Sequence, residues 1–111
     1  MTKSDLIKEI KATYEKHGWE LKSALLSAET TAEMANSGEK TLGGATIEGS
    51  SFDALWFSRP SQSGDEAWEL RLVAETPYAL FERVGASETK EMRAEVFQSM
   101  EERLRQYVTG S

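Results

Sequence analysis

The chain has no cysteine and a single histidine. Disulfides and thiol chemistry are therefore excluded, and the common zinc arrangements lack their ligands. No metal or cofactor is expected. Proline is scarce as well, with two residues, Pro60 and Pro77, both at breaks between strand-like runs. No apolar run approaches the ~18 residues of a membrane span, and charges interrupt the first ten residues where a signal peptide would be apolar. The sequence thus predicts no membrane partner and a cytoplasmic location. Basic residues are the minority: 13 Lys and Arg against 19 Asp and Glu give a formal charge of −6. Such a field repels nucleic acid, which is not expected as a partner.

What the chain does have is 39% hydrophobic and 29% charged residues in a length of 111, enough for one core. A single domain, 1–111, is expected. Its most informative stretch is residues 52–84, where three runs alternate apolar with polar residues as an antiparallel meander does. The first hairpin should pair Ser58 with Trp68, Trp56 with Leu70 and Ala54 with Leu72. With a turn at Glu75, Thr76 and Pro77, the second should pair Leu72 with Leu80 and Trp68 with Val84.

Two helices flank this meander. Leu6, Ile7, Ile10 and Tyr14 recur at helical spacing over residues 4–17, with Thr2 or Ser4 able to cap the start and Gly18 to end it. Met92, Val96, Phe97, Met100, Leu104, Tyr107 and Val108 form the stripe of a long final helix, for which Ser87 is the expected cap. Residues 19–26 read as a strand. Residues 27–50 are ambiguous: a short helix after Ser27, and an edge strand or loop over Ala45 to Glu48. The fold class is α+β, with an N-terminal helix, a four-stranded mainly antiparallel sheet and a long C-terminal helix packed on the sheet.

Familiar motifs fail. Ser37 with Lys40 and Ser87 with Lys90 match the S-x-x-K spacing of penicillin-interacting enzymes, but the companion motifs are missing. Lys40–Thr41 follows Glu39 where a phosphate loop needs glycine. His17 sits at a helix end, suited to the negative pole of the dipole, with no nucleophile at hand. Asp65 and Glu66 fit no calcium loop and read as a solvated turn.

The meander is apolar on both faces, and this motivates two functional expectations. Trp56, Trp68, Tyr78 and Tyr107 lie on the first face, as core or as the lining of a small-molecule cavity between helix and sheet. Leu55, Phe57, Val73 and Phe81 lie on the second, among Arg59, Arg71 and Arg83, with Glu69 expected opposite Arg83 and Asp53 diagonal to Arg71. Either residues 27–50 cover that second face, or it is a surface for a protein partner or a second copy. The leading expectation is a non-enzymatic protein-interaction or adaptor module, and the alternative is a small-molecule binding domain or small enzyme.

Overall fold

A computed structural model describes residues 2–36, 42–60, 64–85 and 87–110. In chain order its elements are α1 (Lys3–Lys16), β1 (Glu20–Leu26), α2 (Ala28–Asn36), β2 (Thr46–Gly49), β3 (Ala54–Pro60), β4 (Glu66–Leu72), β5 (Ala79–Val84) and α3 (Lys90–Thr109). The class is α+β, but the sheet has five strands and is mixed, in the order β2-β1-β3-β4-β5. β2 pairs parallel with β1, and every other pair is antiparallel. The fifth strand arises because α2 carries the chain back along the sheet, so that Thr46–Gly49 reaches β1 in the same direction.

The helix ends follow local chemistry. Thr2 caps α1, its Oγ1 accepting the Asp5 N–H at 3.1 Å, and Gly18 leaves the helix at φ 87°. The Ser27 Oγ accepts the Thr30 N–H at 3.3 Å at the start of α2. The cap of α3 is Thr89, not Ser87: Thr89 Oγ1 accepts the Met92 N–H at 3.2 Å. Ser87 is displaced from that role because the Glu88 N–H closes a turn onto the Gly85 carbonyl, which delays the helix.

The first hairpin has the predicted register, with Ser58 opposite Trp68, Trp56 opposite Leu70 and Ala54 opposite Leu72. The second is displaced by two residues, placing Leu70 opposite Leu80 and Glu66 opposite Val84. The cause is Val73, whose N–H donates to the Asp53 carbonyl at 2.9 Å and so stays with β3, while the Leu72 N–H takes the Tyr78 carbonyl at 3.0 Å. The turn is therefore longer than the three residues expected. A two-residue displacement leaves every side chain on its own face, so the hydrophobic pattern alone does not resist it. In β1, a bulge between Leu21 and Ser23 brings Leu21 to the same face as Ala24 and Leu26 despite their odd spacing.

Helices cover both faces. On one, α3 lays Met100 and Leu104 over Ala54, Trp56 and Leu70. On the other, Ile7 and Ile10 of α1, Met34 of α2 and Leu42 enclose Leu55, Phe57 and Val73. Each large apolar side chain so buried contributes about 1.5–3 kcal/mol. Among the described residues, no helix is long and apolar enough to cross a membrane.

Candidate functional site

Cross-strand pairing aligns Leu21, Phe57, Glu69 and Phe81 in one row across the second face. Neighbouring rows hold Leu55, Arg71 and Ala79 on one side and Arg59, Ala67 and Arg83 on the other. Ile7, Ile10 and Tyr14 of α1 pack over Leu55 and Phe57 of β3, and Tyr14 reaches Glu69 on β4. Leu55, Phe57 and Val73 are thus sealed inside the chain, and Phe57 is 0% exposed. They form no partner surface: the amphipathic stripe of α1, with help from α2 and Leu42, already occupies them. Phe81 is left 49% exposed, with Arg59 and Arg83 also at the surface. Three of the seven residues expected at a partner surface therefore share the uncovered part of the face; Leu55, Phe57 and Val73 are sealed, and Arg71 is half-buried beside Leu6, Ile10 and Tyr14 of α1.

A ladder of rings runs from the core to this edge. Tyr14 stacks on Phe57 with centroids 4.2 Å apart, Trp19 meets Tyr14 edge-on at 6.0 Å, and Trp19 meets Phe81 edge-on at 6.3 Å. Trp19 was read from sequence only as the start of a strand. The two residues after α1 turn its ring back over the sheet, and its place between Gly18 and an alternating run was the available signal. Arg59 lies over the Trp19 ring, its Cζ 4.8 Å from the centroid, and donates to the His17 carbonyl at 3.2 Å. Conformation as well as space suits Gly18 here, since its φ is positive and a Cβ would stand 3.6 Å from Arg59 Cδ.

The Tyr14 hydroxyl donates to Glu69 Oε2. Burial first, then the Glu69 carboxylate, push the Tyr14 hydroxyl above the ordinary tyrosine range, so it remains a donor. The displaced register puts Glu69 opposite Phe81 and not Arg83, and Asp53 turns away to Lys3, Ser27 and Thr30. The expected charge lattice does not form. Arg93, Arg103 and Arg105 on α3 each pair with a glutamate, respectively Glu66, Glu82 and Glu102. Among the described residues, Arg59, Arg71 and Arg83 make no salt bridge, and Arg71 instead donates to the Leu72 carbonyl.

On the first face, the rings proposed as a cavity lining fill the space between sheet and α3. Trp56 and Trp68 meet Phe97 at 5.2 and 4.7 Å, and Tyr78 stacks on Tyr107 at 3.6 Å. Trp56 Nε1 donates to Glu101 at 3.2 Å. Desolvation raises the Glu101 carboxyl above its usual range despite that hydrogen bond. A concavity of about 590 Å³ lies at the sheet end beside Phe52, Asp53, Leu72 and Tyr107. Of the four candidate lining residues, only Tyr107 borders it.

Among the described residues, no group of three or more His, Asp or Glu side chains is placed to hold a metal ion. His17 is exposed at the α1 C-terminus, and Glu66 in the hairpin is tied to Arg93. Ser37, Lys40 and Thr41 lie outside the described residues. Comparison with protein-family models, with curated proteins and with solved structures gives no match. The arrangement can do two things chemically: offer an apolar ring beside guanidinium groups, and offer an uncapped strand edge.

Proposed function

We propose that this protein is a non-enzymatic protein-interaction module. Its working surface is the part of the second face that α1 leaves uncovered: Phe81 with Arg59, Arg83 and the added Trp19, and with Arg71 at the margin beside α1. The observation that carries the reading is Phe81, a large apolar side chain 49% exposed at a sheet edge, with Arg83 two residues away on the same face. Interface cores are enriched in aromatics and arginine, and an anchor of this kind concentrates binding energy. Trp19 holds the ring from one side, which reduces the side-chain entropy lost on docking.

The test places a photo-crosslinking amino acid at position 81, and for comparison at Ala32 on the exposed side of α2, in the organism's own cells. A discrete crosslinked species from position 81 and none from position 32 is the expected result. Light scattering on the purified protein then separates a second copy from another protein. A monomer at all concentrations, with no crosslink from position 81, removes the reading.

A further inference from the structure

We infer that the outer edge of β5 receives an extended acidic segment of another protein as a sixth strand; this rests on the interaction reading above. The hydrogen bond from the Leu72 N–H to the Tyr78 carbonyl fixes the phase of the β4–β5 ladder. Bonded pairs alternate along an antiparallel ladder, so Leu70 with Leu80 is also bonded, whereas Arg71 with Ala79, Glu69 with Phe81 and Ala67 with Arg83 are not. The backbone N–H and C=O groups of Ala79, Phe81 and Arg83 therefore point away from β4. Since β5 ends the sheet, no strand among the described residues takes them. Of the three residues that present the free backbone groups, Phe81 and Arg83 also belong to the uncovered face.

An added strand places its side chains directly opposite those of Ala79, Phe81 and Arg83, on the same face and about 4.5–5.5 Å away. The occupant is set by charge. Arg83 lies two residues from Phe81 on the same face, and Arg59 lies over the Trp19 ring that meets Phe81; neither has a carboxylate partner among the described residues, and Glu69, opposite Phe81, already accepts the Tyr14 hydroxyl. An acidic side chain opposite Arg83 and an apolar one opposite Phe81, two residues apart, satisfy both. A second copy does not: β5 paired antiparallel with itself about Phe81 sets Ala79 of one copy opposite Arg83 of the other and leaves the guanidinium unpaired. Strand addition takes its affinity from the main chain and its specificity from alternate side chains, and here the specificity is for acid beside apolar.

The probe is a short fluorescein-labelled peptide in which glutamate and valine alternate at every second position, with threonine between them, so that acid and apolar side chains share one face; it is followed by anisotropy, with the peptide carrying lysine in place of glutamate for comparison. The acidic peptide should bind, weaken with added salt, and lose roughly tenfold or more in affinity on Arg83→Glu. Arg83→Glu should in turn favour the lysine peptide. Phe81→Pro deletes an outward N–H without touching a β4 bond and should abolish binding. If that variant fails to fold, methylating alternate backbone amides of the peptide puts the same question to the wild-type protein. Binding that survives both backbone changes, or equal binding of the lysine peptide, overturns the inference. So does a crosslink from position 81 with no acidic-peptide binding, or self-association through β5. Each of these outcomes leaves the interaction reading standing; absence of any crosslink removes both.

Discussion

Replacing Asp53 with alanine should cost about 3–4 kcal/mol of folding stability. Asp53 is 8% exposed and joins three separate parts of the chain. Its Oδ1 accepts the Ser27 N–H at 2.8 Å, its Oδ2 accepts the Thr30 hydroxyl at 2.8 Å, and the Lys3 ammonium stands 3.4 Å from Oδ2. Truncation strands two donors at the start of α2, at about 1–3 kcal/mol each when no water replaces the acceptor. The Thr30 oxygen retains the Ser27 hydroxyl at 3.2 Å, which places its share at the low end. Lys3 is 44% exposed and also donates to the Val73 carbonyl, so its ion pair adds less than about 1 kcal/mol. Against a total stability of about 5–15 kcal/mol, the loss is large. Urea unfolding followed by tryptophan fluorescence measures it, with Lys3→Met and the double variant completing a cycle. A cost below about 1 kcal/mol for Asp53→Ala, or an equal cost for Lys3→Met, would refute the assignment of the stabilisation to the α2 donors.

Phe57→Asp puts a carboxylate into a fully enclosed site and should abolish cooperative unfolding, whereas Phe81→Asp at the edge should leave the melting profile nearly unchanged; circular dichroism distinguishes them. Trp68 Nε1 is buried with no acceptor, while Trp56 Nε1 has Glu101. Trp68→Phe should therefore destabilise less than Trp56→Phe, by about 1 kcal/mol in denaturant titrations. Because the folded state raises the Glu101 carboxyl, the protonated form is favoured there, and its contribution is lost as pH rises from the ordinary glutamate value of about 4.3 through the raised one. Glu101→Gln should accordingly be more stable than wild type at neutral pH, with the gap closing as pH falls toward about 4; a constant gap across that window contradicts the desolvation argument.

The alternation in residues 52–84 made the two faces and the first register legible, because each strand has one strongly apolar side and the hairpin is tied by matching runs. The second register was not legible, since its two-residue alternative satisfies the same pattern and the choice rests on one amide, that of Val73. The partner of α1 was hidden for a similar reason. Its stripe of Ile7, Ile10 and Tyr14 says that it must pack, while both faces of the meander were apolar enough to receive it. That ambiguity left Leu55, Phe57 and Val73 open to two readings, as core covered by residues 27–50 or as a partner surface, and concealed Trp19. β2 was ambiguous because all four of its residues are exposed and carry no burial pattern. Phe81 and the three arginines on its face were identified from alternation alone, which is indifferent to what covers them.

The parallel pairing of β2 has a consequence for how the molecule comes apart. β1, β3, β4 and β5 are neighbours in chain order and form an antiparallel unit by themselves, so residues 27–50 are an insertion between two strands that already lie side by side. The two ends of the insertion stay close, the Ser50 N–H reaching the Leu26 carbonyl at 2.9 Å. β2 is bonded to β1 alone, by four exposed residues. Its amides should exchange with solvent through a local opening well before those of β3 and β4, which exchange only with global unfolding. The molecule is in this sense two-tiered: a compact meander clasped by α1 and α3, and an appended turn of chain that can let go of the sheet at one end while β5 stays presented at the other.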